Sequence, residues 1–320
     1  MTPETLKPLS IGKLRGLQQC ASARGTFTCL ALDHRQNLRT ANPSFAADVE
    51  LSRFKLDVTA ELAPYATSVL LDPEVSAAQA IAAGALPGDK AFVVAVESTG
   101  YTGDSSARHA QIIPGWSVEK AKRMGASAIK LLVYYHPDSS TAQETEDFTA
   151  RVAEECQKYD LALMLEPLSY SLRENNKLTS EEKRYVVVES ARRLTRFNVD
   201  ILKAEFPLAA DHRDESVWEE ACKEITSASK APWILLSAAV DFEIFVRQVT
   251  AACTSGASGI AVGRAVWKEA VPMESKERTT FLRTIGKERL SRLTSLCNAL
   301  GKPFGEAYQT DTPFDWYKKY

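Results

Sequence analysis

Eight short apolar runs, rich in Val, Ile and Leu, recur along the chain, each followed by a stretch with helical spacing. They occupy residues 26–32, 68–71, 91–96, 128–133, 161–165, 199–204, 232–236 and 259–262. A strand that is apolar at consecutive positions is buried on both faces. Strands of that kind alternating with helices form a parallel sheet covered on its outside by the helices. Eight βα units match a (β/α)8 TIM barrel in number and in length. The chain has 320 residues, 45% of them hydrophobic, enough for a large core. The expectation is α/β: a single barrel domain over 1–320, with its core at about 24–270 and a C-terminal helix and tail at 271–320. A doubly wound sheet is the alternative, but no glycine-rich dinucleotide loop follows any of the strands.

Local signals mark the helices. Thr179 and Glu182 are spaced as a capping box, Ser117 is placed as an N-cap, and Gly84, Gly125 and Gly256 stand where helices end. Pro43 and Pro73 are expected at helix entrances, where a missing N–H costs nothing. Residues 277–300 read as a long amphipathic helix ended by Gly301 and Pro303. The aromatic tail after it is expected to dock on the barrel or on a second copy of the chain, so a homo-oligomer is one expectation. A net charge of −2 offers no attraction to nucleic acid or to an anionic membrane. The first twenty residues lack the continuous apolar stretch of a signal peptide or a transmembrane helix. Six scattered cysteines with no CxxC pair suggest free thiols in a reducing cytoplasm.

In a TIM barrel the C-terminal ends of the strands build the active site. Those ends read Asp33-His34-Arg35, Asp72, Glu97, Lys130, Glu166, Lys203-x-Glu205, Ser237 and Gly263-Arg264. Lys130 and Lys203 stand inside apolar runs, where an ammonium is rarely buried without a partner. Two neighbouring ammonium groups depress each other's pKa, and a free amine is a nucleophile for carbonyl carbon. Glu166, on the strand between them, is placed to shuttle protons. The competing reading is a set of ion pairs that merely fills the barrel.

Ser237-Ala238 and Gly263-Arg264 end the last two strands, where barrels often bind phosphate. They offer a hydroxyl, room for close backbone approach and a guanidinium. His34, His109, His136 and His212 all follow strands, which raises a metal-dependent reaction. No HxH or ExxH spacing supports it, and a metal leaves the two lysines unexplained. No cofactor is expected. His34, directly after Asp33, is the histidine expected to touch substrate.

The chain resembles the class I tagatose-1,6-bisphosphate aldolase family, which includes bacterial sulfofructosephosphate aldolases. The resemblance runs through Ala31-Leu32-Asp33-x-Arg35, Gly100-Tyr101-Thr102-Gly103, Ile113-Pro114-Gly115-Trp116 and Ala128-Ile129-Lys130-Leu131-Leu132. It continues through Glu166-Pro167, Asp200-Ile201-Leu202-Lys203-Ala204-Glu205, Leu236-Ser237-Ala238 and Gly263-Arg264-Ala265-x-Trp267. It implies an iminium on Lys203, proton transfer by Glu166, substrate oxygens held by Lys130 and Asp33, and phosphate on Ser237, Gly263 and Arg264. The implied substrate is a small sugar phosphate, a ketose 1,6-bisphosphate. Sulfofructose phosphate is the alternative, and a non-catalytic sugar-phosphate-binding barrel the more remote one. Two positions depart from the family's usual pattern: His34 replaces a glutamine, and Ala239 replaces the glycine of Ser-Ala-Gly.

Overall fold

The computed structural model describes residues 6–174, 176–209, 212, 214–318 and 320. Eight parallel strands close into a barrel in chain order. They are β1 (Phe27–Ala31), β2 (Ser68–Leu71), β3 (Ala91–Ala95), β4 (Ala128–Tyr135), β5 (Ala162–Ser169), β6 (Ile201–Ala204), β7 (Trp233–Leu236) and β8 (Gly259–Val262). The β8 strand pairs back onto β1, with Gly259 opposite Phe27. Each expected apolar run carries one strand, and only β4 and β5 continue past the expected ends, to eight residues each.

The period-two alternation of a strand sorts the side chains. Cys29, Leu70, Val93, Ala128, Met164, Ile201, Ile234 and Ala261 meet inside the barrel. Their neighbours one residue along, among them Leu30, Val69, Val94, Ile129, Leu165, Leu202, Leu235 and Ile260, pack outward against the helices. Continuing the inward series toward the strand ends reaches Asp33, Glu97, Lys130, Glu166, Lys203 and Gly263. The barrel floor is aliphatic, and its mouth is charged.

The floor is sealed from below. Lys7–Pro8 pairs with Tyr308–Gln309, and Lys13 Nζ lies 2.8 Å from Asp200 Oδ2. The Tyr308 hydroxyl donates to the Asp200 carbonyl at 2.6 Å.

The expected capping box at Thr179 and the Ser117 cap are both present. Pro73 differs: the helix after β2 begins only at Ala77. The Asp72 carboxylate accepts from the backbone N–H groups of Glu74 and Val75, and so turns the chain before a helix can start. The expected C-terminal helix is helical from Ser275 to Leu300, with a π-turn at Leu282–Gly286. Leu290, Leu293 and Cys297 are buried where it packs on the Phe242–Thr254 helix and on β1, so it completes the outer ring. In the tail, Tyr320 bonds to Asp160, while Phe314 and Tyr317 remain exposed.

Candidate active site

A cavity of about 400 Å³ opens at the C-terminal ends of the strands. Asp33, His34, Lys130, Glu166, Lys203, Ser237, Ala238, Gly263 and Arg264, the residues given catalytic or substrate-binding roles from sequence, all line it. Strand registry explains the central group. Lys130 lies beside Ala95 on one flank and Met164 on the other, while Glu166 is level with Leu132 and Lys203 with Ile234. Three inward side chains from adjacent strands must then share one small volume.

Lys130 is saturated. Its Nζ lies 2.7 Å from Asp33 Oδ2, 2.7 Å from Glu97 Oε1 and 2.9 Å from Glu166 Oε2. Its N–H groups donate to Asp33 and Glu97, and the Glu166 oxygen completes a ring of three carboxylates around the charge. Burial disfavours the Lys130 charge, but Asp33, Glu166 and Glu97 outweigh it and hold its pKa well above the ordinary lysine value. The mutual depression expected of the two lysines is therefore not what Lys130 experiences, because three anions dominate over one neighbouring cation.

Lys203 has a lighter escort. Its Nζ lies 2.8 Å from Glu166 Oε2, the same oxygen that faces Lys130. Ion pairs at the mouth, the reading set against catalysis, thus exist beside an open cavity. Burial pushes the Glu166 carboxyl up, yet Lys130 and Lys203 together hold it below its ordinary value. Asp33 behaves alike: burial raises it, and Lys130, Lys203 and His34 overcome that to hold it well below the carboxylate range. In Glu97 burial wins over Lys130, and Asp33 adds to it, so this carboxyl is raised.

The opposite wall is the anion-friendly one. The Ser237 hydroxyl accepts from Gly263 N at 3.4 Å, tying the ends of β7 and β8 together. A Cβ at Gly263 would sit 2.8 Å from the Ala31 carbonyl oxygen and 3.2 Å from the His34 ring, so only glycine lets the end of β8 approach the end of β1 this closely. Ala238 and Ala239 both have positive φ, 42° and 62°, in a turn closed by Val240 N donating to the Ser237 carbonyl at 3.1 Å. This explains the family's glycine at the second of these positions: the backbone there is left-handed, a conformation costly for a residue with a Cβ. Burial lowers the Arg264 pKa, against the pull of Glu166 and Asp33.

His34 stacks edge-on against Trp267, with centroids 5.5 Å apart, and its Nδ1 is buried without a hydrogen-bond partner. Burial pushes its pKa down to about 3, so the ring is neutral at physiological pH. The other histidines do not join it. His109 faces Glu144 at 3.0 Å, His136 stacks on Tyr170, and His212 Nδ1 is 3.3 Å from the Ser180 hydroxyl.

One strand-end residue turns away. Asp72 pairs with Lys55 of the outer helix Asp48–Leu62 and does not line the cavity. Arg35, Glu97 and Glu205, read from sequence only as strand-end charges, also line the cavity, with Arg35 donating to the Glu97 carbonyl at 2.9 Å; Tyr134 is a wall that the sequence reading missed. The signal was present in strand alternation, since Lys130, Leu132 and Tyr134 share one face of β4 and all line the cavity.

Fold and site together define a (β/α)8 barrel whose mouth concentrates two lysines among carboxylates. Comparison with known proteins narrows the class. A profile of the DeoC/LacD family aldolases matches residues 27–269. The tagatose 1,6-diphosphate aldolase of Lactococcus lactis subsp. lactis is 31% identical over 320 residues, covering 91% of this chain and 97% of the relative. That of Streptococcus agalactiae serotype V is 30% identical over 315 residues, covering 89% of this chain and 95% of the relative. An archaeal fructose-1,6-bisphosphate aldolase, solved with its catalytic Lys covalently bound to the carbinolamine intermediate, superposes with a TM-score of 0.56 at 21% identity. That match covers 88% of this chain and 99% of the archaeal one. The chain belongs to the DeoC/LacD family of aldolases.

Proposed function

We propose that the protein is a class I, Schiff-base aldolase that cleaves tagatose 1,6-bisphosphate to dihydroxyacetone phosphate and glyceraldehyde 3-phosphate. Lys203 is the nucleophile. One observation carries this choice: three carboxylates lie within 2.9 Å of Lys130 Nζ, whereas among the described residues Lys203 Nζ has one, Glu166, at 2.8 Å. Lys130 is then a fixed cation that orients substrate oxygens together with Asp33.

Glu166 Oε2, within 2.8 Å of Lys203 Nζ, takes the proton that frees the amine. The amine adds to the C2 carbonyl, Glu166 returns its proton to the carbinolamine hydroxyl, and the loss of that group as water gives an iminium that accepts the electrons of the C3–C4 bond. Glu166 then removes the C4 hydroxyl proton as that bond breaks and the aldehyde departs. The enamine is protonated at C3 and hydrolysed, which releases the ketose fragment and regenerates Lys203. Ser237, Ala238, Gly263 and Arg264 hold the C1 phosphate through backbone approach and a guanidinium, and His34 contributes a neutral ring beside it.

Borohydride reduction in the presence of dihydroxyacetone phosphate, followed by peptide mapping, tests this reading. The expected adduct sits on Lys203 and is absent in Lys203→Met. An adduct on Lys130 reverses the two roles, and no adduct removes the Schiff-base mechanism. A panel of tagatose bisphosphate, fructose bisphosphate and sulfofructose phosphate tests the sugar. We place the activity in the cytoplasm, where six buried unpaired thiols persist, and assign the exposed Phe314 and Tyr317 to contact with a second copy.

A further inference from the structure

Just outside the cavity wall formed by Tyr134, on the side away from Arg264, stands a further guanidinium, that of Arg108. Arg108 belongs to a hairpin, Thr102–Asp104 with Ala107–His109, that follows β3. Gly103, paired with Arg108, has φ of 85°, and a Cβ there would meet the Ala107 carbonyl oxygen at 2.5 Å. The hairpin's shape, and with it the register of Arg108, thus depends on glycine.

The Arg108 guanidinium carbon lies 4.4 Å from the Tyr101 ring centroid, 4.5 Å from Tyr170 and 5.5 Å from Tyr134. Its Nε donates to the Ser105 carbonyl at 2.8 Å. Among the described residues no carboxylate pairs with it. Aromatic faces hold a planar cation in place but leave its edge donors unused. Two terminal nitrogens are therefore left without an assigned acceptor. Tyr134, one of the three rings, is also a wall of the cavity. Tyr134 belongs to β4 and Tyr170 follows β5, so Arg108 stands over β4 and β5, while Arg264 follows β8. In the closed order of eight strands, β4 is diametrically opposite β8.

We propose that Arg108 binds the second anionic group of the substrate, a tetrahedral phosphate or sulfonate oxyanion, while Arg264 and the ends of β7 and β8 hold the first. The proposal rests on the aldolase reading above and deepens it. A substrate anchored at both ends spans the mouth and carries its reacting carbons past Lys203. Arg108 is a specificity residue in this scheme and takes no part in bond cleavage.

Steady-state kinetics of the wild type, Arg108→Met and Arg108→Lys decide it. Three substrates are needed: tagatose 1,6-bisphosphate, 6-deoxy-6-sulfofructose 1-phosphate, and fructose 1-phosphate, which lacks the distal anion. Arg108→Met is expected to lower kcat/KM for a doubly anionic substrate about 10- to 100-fold more than for fructose 1-phosphate, as loss of a charge-assisted contact does, mainly through KM. Arg108→Lys is expected to recover part of that difference. A selective loss confined to the bisphosphate identifies the group as phosphate; one confined to the sulfonate identifies it as sulfonate. Equal losses on all three substrates, the mark of a hairpin-stabilising role, overturn the proposal, as does no loss on any. Borohydride trapping with dihydroxyacetone phosphate, which has one anion, keeps the two hypotheses apart. Failure to label wild-type Lys203 removes the aldolase reading itself, whereas labelling with unmoved substrate ratios removes only the role of Arg108.

Discussion

Lys55 and Lys203 are both buried lysines, each paired with a carboxylate from a neighbouring element. At Lys55 the partner carboxylate is fully engaged. Asp72 takes its ammonium, a hydroxyl from Ser76 at 2.6 Å and the N–H groups of Glu74 and Val75 at 3.0 and 2.9 Å. Around Lys203 one carboxylate oxygen is shared with a second lysine, and the space beside it is open. Burial and ion pairing are common to both sites. What separates a brace from a reactive group is the open volume beside it and a partner carboxylate shared with a second lysine.

The sharpest way to break that distinction is to remove each ammonium in turn. Lys203→Met is expected to lower aldol cleavage at least about 1,000-fold, measured by release of aldehyde. Its thermal stability should stay close to that of the wild type, because Glu166 keeps Lys130 as a partner. Lys55→Met leaves Asp72 buried without its cation, and chemical denaturation should show a loss of about 3–5 kcal/mol. If Lys203→Met were the less stable of the two, the division of roles would be wrong.

A smaller effect comes from His34. Its folded pKa is lowered to about 3, against an ordinary histidine value of about 6.5. Between those values the unfolded chain binds a proton that the folded chain refuses. This contribution to stability is therefore complete above about pH 6.5 and declines as pH falls toward 3. His34→Gln should flatten the dependence of Tm on pH across that window, and an unchanged slope would show that other groups govern it. The smallest effect is Ala239→Gly. It removes a left-handed alanine and should raise stability by about 1 kcal/mol or less, net of the greater freedom of glycine when unfolded.

Much of this site could be read before folding because strands alternate. Once Lys130, Glu166 and Lys203 are placed on neighbouring parallel strands, inward parity forces them together. The same parity sends Asp72 inward after Leu70, and there it fails. The turn that Asp72 itself nucleates ends the strand and swings its carboxylate to the outer helix. The saturation of Lys130 was hidden for a different reason: it depends on Asp33 and Glu97, far apart in sequence and joined only when the barrel closes. Arg108 was missed because it lies on a hairpin beyond the strand end, where no periodicity points.

The unequal strand lengths have a consequence for the cavity wall. The β4 and β5 strands continue past the chemistry, with Pro167, Leu168 and Ser169 extending about 10 Å beyond Glu166 beside Val133, Tyr134 and Tyr135. The β6, β7 and β8 strands stop after four residues each. The cavity wall is therefore extended strand at Tyr134 and Leu168, tight turn at Ala238 and helix start at Arg264.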